Sequence, residues 1–120
     1  MIDKKELKKK YKQTLPQMGI YMIRNLTNGK ILIGRGLNLS GKENSFRFQL
    51  QTGTHTNSEL QSDYNKTGDD NFVFEIIDIL EPKADSNLNY GEELKVLEEM
   101  WIEKLQPFDG KGYNKRKQKE

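Results

Sequence analysis

Gly19-Ile20-Tyr21-Met22-Ile23-Arg24-Asn25-Leu26-Thr27-Asn28-Gly29-Lys30-Ile31-Leu32-Ile33-Gly34 is the stretch whose reading decides the fold. Two short apolar runs flank Asn28-Gly29, and Asn-Gly readily supplies the two positive-φ residues of a type I′ turn, so the segment predicts a β-hairpin. With Asn28 and Gly29 at the tip, Thr27 is expected opposite Lys30, Asn25 opposite Leu32 and Ile23 opposite Gly34. Side chains alternate along each strand. Ile20, Met22, Ile31 and Ile33 therefore share one face, the expected core face. Tyr21, Asn25, Gly34 and Gly36 lie on a more polar face, where glycine lets a ligand approach the backbone closely.

Outward from the hairpin, Arg35 to Asn44 is rich in Gly, Asn and Ser and reads as a loop. A helix is predicted over 44–52, with Phe46 and Leu50 four apart on its buried side and Gly53 as its stop. Thr56 and Glu59 fit a capping box for a helix over 56–66, with His55 just before it. Phe72 to Leu80 is β-branched and aromatic, and predicts a third strand, apolar on both faces as a central strand would be. With strands at 19–25, 30–35 and 72–80 and a last helix at 91–105, the chain is expected to be α+β: a three-stranded antiparallel sheet flanked by helices.

In the last helix Leu94, Trp101, Ile102 and Leu105 fall in one stripe at 100° per residue, and Glu98 lies in the middle of it. A polar group turned toward a core without a partner costs on the order of 2–7 kcal/mol, so Glu98 requires a cation or donors. A rim position in solvent, a structural ion pair or a metal each meets that need.

The chain has 120 residues, 33% hydrophobic, with Lys plus Arg at 20 against Asp plus Glu at 18, which suits one small domain. Charge this balanced allows a nucleic-acid partner only if the basic residues cluster. Absence of cysteine excludes disulfides and thiolate metal sites, and a single histidine, His55, excludes a multi-histidine zinc centre. Any metal is then a hard cation on oxygen ligands, with Mg²⁺ or Mn²⁺ the fitting choice. No run approaches a membrane span of roughly 20 apolar residues, and a soluble cytoplasmic protein is the expectation. Residues 1–17, with lysines at 4, 5, 8, 9, 10 and 12, form a basic N-terminal arm, and 115–120 form a basic C-terminal tail. Each reads either as a phosphate-holding segment or as a solvated end.

Gly19-Ile20-Tyr21, a ten-residue gap and Leu32-Ile33-Gly34 resemble the paired signature of the GIY-YIG nuclease family. The likeness continues in order through His55, Leu60-Gln61, Asn65-Lys66, Gly68, Phe72, Glu98 three residues before Trp101, and Gly112-Tyr113-Asn114, so it spans roughly 18–114. The resemblance implies a GIY-YIG-like domain over 18–114 that hydrolyses DNA phosphodiesters with one divalent ion, Mg²⁺ or Mn²⁺. In it Glu98 would bind the metal, Tyr21 orient or deprotonate the attacking water, and Arg47 with His55 steady the phosphate. Arg35, Lys42 and Asn114 are further candidates for DNA or phosphate. Two departures stand out. Leu32 replaces the second signature tyrosine. Counting back from His55 puts Lys42, a point charge, where the family has arginine, whereas Arg47 fits the predicted helix. The expected partner is DNA, without a membrane, and with specificity intrinsic to the domain or supplied by a homo-oligomer or partner protein. A degenerate domain that binds DNA without cleaving it is the alternative, and a purely structural interaction domain a third.

Overall fold

Met18–Asn25 forms β1, Ile31–Gly36 β2, Leu39–Thr52 α1, Ser58–Thr67 α2, Phe72–Leu80 β3 and Tyr90–Leu105 α3, with 3-10 turns at Asp69–Asn71 and Asp109–Lys111. The computed structural model describes residues 16–83 and 89–116. Most of the basic arm and residues 117–120 of the basic tail lie outside the described residues. The strands make one antiparallel sheet in the order β2-β1-β3, so the α+β architecture is the expected one. No helix among the described residues is long and apolar enough to cross a membrane.

The hairpin forms, but its register differs by two residues from the expected one. Tyr21 pairs with Gly34 and Ile23 with Leu32. Asn28 is not in the positive-φ region, so the turn is not type I′; Gly29 alone in the loop takes positive φ, at 75°. Asparagine side chains build the longer loop instead. Thr27 N–H donates to Asn25 Oδ1 and Lys30 N–H to Asn28 Oδ1, each at 2.9 Å. A slip of two residues leaves each side chain on its face, so the alternation survives while the cross-strand partners change.

The sheet is covered on both sides, which corrects two expectations. One core unites Ile23, Phe46, Leu50, Leu60, Phe72 and Tyr113 between the sheet and α1 with α2. A second unites Ile20, Met22 and Ile33 with Leu97, Trp101 and Ile102 of α3. The face of Tyr21 and Asn25 is thus a second core face, and β3 is an edge strand. β3 is apolar on both sides because each side meets a different helical layer, while β1 has the central place. A bulge between Ile20 and Tyr21 leaves Ile77 without a partner, so Ile77 joins the α3 core beside Asp78, which accepts the Trp101 indole N–H at 2.8 Å.

Asn25 is buried because its side chain is satisfied. It accepts from Thr27 N–H and Asn71 Nδ2 and donates to the Tyr113 hydroxyl at 2.9 Å. Tyr113 in turn donates to Asp63 at 2.7 Å, and burial with that carboxylate pushes its pKa up to about 12, so it stays a donor.

The first helix begins five residues before the expected 44. Asn38 is its N-cap, accepting from Gly41 N–H at 3.1 Å, and Leu39 is buried just inside. Gly41 in the first turn costs about 1 kcal/mol of helix propensity, but a Cβ there would stand 3.0 Å from the Asn38 amide nitrogen. The residues that read as loop are the cap and first turn. The other helices begin within two residues of expectation, capped by Asn57 and Asn89.

Candidate active site

Tyr21 and Gly34 make the floor of the site. They face each other across β1 and β2, and the phenol lies over Gly34 so closely that a Cβ there would stand 2.3 Å from the hydroxyl oxygen. Only glycine leaves that space. The ring is held from its other side by a stack of aromatics: Tyr21 on Phe74 at 5.0 Å and Phe74 on Phe46 at 5.5 Å between centroids. A strand and a helix thereby decide where the hydroxyl sits.

One wall comes from α1, where Lys42, Ser45, Phe46 and Gln49 follow the i, i+3, i+4, i+7 spacing of a single helix face. The Lys42 stem crosses Gly36, whose Cβ would stand 2.7 Å from Lys42 Cγ. His55 and Asn57, between α1 and α2, form the next wall. Glu98 of α3 and Arg35 of β2 close the side at the edge of the sheet, and the whole encloses a cleft of about 520 Å³.

Glu98 has a cation partner: Arg35 Nη1 stands 2.7 Å from Glu98 Oε1. The carboxylate side chain is 17% exposed and the arginine 42%, so this is a pair at the rim, worth about 0–1 kcal/mol. The neighbours of Glu98 on the helix, Leu97 and Trp101, pack into the α3 core. Glu98 is the only acidic side chain lining the cleft among the described residues. Burial raises the Tyr21 pKa above its ordinary 10.0, Glu98 adds to the rise, and Arg35 opposes it. The phenol is therefore protonated at neutral pH.

His55 is pinned on both sides. Its backbone N–H donates to Gln61 Oε1 at 3.1 Å, and its Nδ1 accepts the Asn57 N–H at 3.0 Å. Burial pushes its pKa below the usual 6.5, so the ring is neutral at neutral pH. With Nδ1 an acceptor, the ring proton belongs on Nε2.

Two candidates stand elsewhere. Arg47 does not line the cleft: it pairs with Asp69 at 3.2 Å and Glu43 at 3.9 Å, and lies over the Phe46 ring at 5.1 Å. Five residues separate it from Lys42, which on a helix is about 140° of rotation, so the two cannot share a face. The early start of α1 gives the cleft position to Lys42. Asn114 is occupied as well. Ile33 N–H donates to its Oδ1 at 2.8 Å and its Nδ2 donates to the Ile33 carbonyl at 2.9 Å, an amide standing in for a strand at the edge of β2. Leu32 lines the cleft where the second phenol was expected, and packs on the α1 core. Sequence reading passed over Ser45, Gln49 and Asn57; once α1 starts at Leu39, the spacing from Lys42 finds the first two.

Arg47→Ala tests this placement. It is expected to lower stability by about 0.5–1.5 kcal/mol, because the partners are half-exposed. Thermal melts read the change, and an unchanged melting temperature would mean that the pairs with Asp69 and Glu43 do not hold Arg47 in place.

No family model matches the chain, and no curated relative does. Among solved structures it is similar to the catalytic domain of homing endonuclease I-TevI, at 25% identity and a TM-score of 0.68 over 83% of this chain and 99% of that one. A mutant of the catalytic domain of intron endonuclease I-TevI matches at 24% identity and a TM-score of 0.68, over 82% of this chain and 92% of that one. The chain has a GIY-YIG-like fold.

Proposed function

We propose that this chain is a divalent-metal-dependent endonuclease that hydrolyses DNA phosphodiesters. The observation that carries this reading is the gathering of Tyr21, Lys42, His55 and Glu98 in one cleft. Their fold is shared with a domain described as the catalytic part of a homing endonuclease.

The donor set fits one hard cation. Among the described residues no group of three or more His, Cys, Asp or Glu side chains could hold a metal by itself. Glu98 would supply one carboxylate, leaving the other positions to water and phosphate oxygens, the arrangement Mg²⁺ commonly accepts. When bound, such an ion supplies Lewis-acid stabilisation of charge on the phosphate. The residues of the chain supply the rest. Lys42 brings a positive charge to the phosphate from the first turn of α1. His55, neutral and with its proton on Nε2, donates a hydrogen bond. Tyr21 holds its proton, so its part is to orient the attacking water through the hydroxyl rather than to remove a proton as a phenolate.

Supercoiled plasmid, with and without Mg²⁺ or Mn²⁺, tests the reading. Nicking is expected only with metal, stopped by a chelator, and slowed about 10²-fold or more by Tyr21→Phe. Leu32 favours a second reading, a domain that binds DNA without cleaving it, because an apolar side chain stands where the resemblance expects a phenol. Salt-sensitive DNA binding with no metal-dependent nicking would select that reading.

A further inference from the structure

Arg35 occupies an oxygen of Glu98, the one carboxylate lining the cleft among the described residues. Its Nη1 is 2.7 Å from Glu98 Oε1, so it holds the donor atom that a divalent cation needs. The two partners differ in freedom. Glu98 is 17% exposed and rides on a helix whose Leu97 and Trp101 are packed in the core, whereas the Arg35 side chain is 42% exposed on a strand at the edge of the sheet. Arg35 can turn out into water without disturbing either core. Lys42 lines the same cleft from α1 and is within no ion-pair distance of a carboxylate among the described residues.

We propose that Arg35 is a displaceable counter-ion for Glu98, a positioning residue that keeps the carboxylate aimed into the cleft and yields it to a divalent cation. This deepens, and rests on, the nuclease reading. A dication concentrates twice the charge in a compact ion and takes carboxylate oxygen directly, so a rim pair between single charges gives way to it. Arg35 keeps its charge throughout, because guanidinium does not deprotonate in proteins, so the exchange follows metal concentration. Once released, its planar fork fits two phosphate oxygens, which the Lys42 ammonium cannot do as a single point charge. Arg35 would then serve the DNA strand in the geometry that Arg47 does not reach.

The test is a Mn²⁺ titration of the full chain without DNA, read by the electron spin resonance of free Mn²⁺. Wild type is compared with Arg35→Ala, Arg35→Gln and Glu98→Ala. Both Arg35 variants are expected to bind Mn²⁺ about three- to tenfold more tightly than wild type, since the competing cation is gone, and Glu98→Ala to lose the site. If the Arg35 variants bind with unchanged or weaker affinity while Glu98→Ala abolishes binding, the counter-ion role is overturned and the nuclease reading stands. If wild type and Glu98→Ala bind alike, the metal assignment fails and the inference falls with it. At saturating Mn²⁺, Arg35→Ala is expected to nick plasmid about tenfold more slowly, as expected for a lost bidentate phosphate contact, and wild-type nicking there would overturn the phosphate role.

Discussion

Glu98→Ala is expected to remove metal-dependent DNA cutting, by about 10³-fold or more, while leaving the protein folded. Two observations separate these effects. Glu98 is the one carboxylate lining the cleft among the described residues, so none of these can replace it there as an anionic ligand. Its folded-state partner is a rim arginine, and losing such a pair changes stability by about 0–1 kcal/mol, far less than the catalytic loss. Glu98→Gln should behave alike, since an amide keeps the shape and loses the charge. The measurement is plasmid nicking against Mg²⁺ concentration beside a thermal melt. Cutting by Glu98→Ala at the wild-type rate would mean the metal is held elsewhere.

Gly34→Ala is expected to have nearly the same effect on cutting from a position that carries no chemistry. The added Cβ would lie 2.3 Å from the Tyr21 hydroxyl oxygen and 2.4 Å from Cζ, and the phenol cannot sink away because Phe74 stacks behind it. The ring must swing or the strands must part. Gly34 does not have positive φ, so the effect is steric alone. Overpacking of this kind costs about 1–3 kcal/mol of stability, and loss of the oriented hydroxyl costs about 10²–10⁴-fold in rate. A double-mutant cycle isolates the cause. In a Tyr21→Ala background the added methyl has no ring to meet, so Gly34→Ala should then change stability by less than about 0.5 kcal/mol. An undiminished cost there would place the clash in the strand instead of the phenol.

The fold was legible where local chemistry is strong. Asn28-Gly29 between alternating apolar runs announced the hairpin, and Glu98 was conspicuous as a charge within an apolar stripe. What failed was local chemistry of another kind. Asn25 and Asn28 bond their own backbone and shift the register by two residues, and Asn38 caps a helix out of a segment whose glycines suggested a loop. A helix starting at Leu39 places Lys42 in its first turn, so Lys42 and not Arg47 lines the cleft from α1. The partnership of Arg35 with Glu98, 63 positions apart, has no local trace at all. Nor has the clamp of Asn114 on Ile33, for the same reason.

Those separations give the molecule an order in time. Tyr21, Gly34, Lys42 and His55 belong to the first half of the chain, whereas Glu98 and the Asn114 clamp must be brought back across 63 and 81 residues. Closing long loops is slow compared with forming a hairpin or a helix turn, so the cationic half of the cleft is expected to be built before its carboxylate arrives. Folding kinetics of substituted chains would register this sequence of events: changes at Ile23 should slow folding, and Asn114→Ala should mainly speed unfolding.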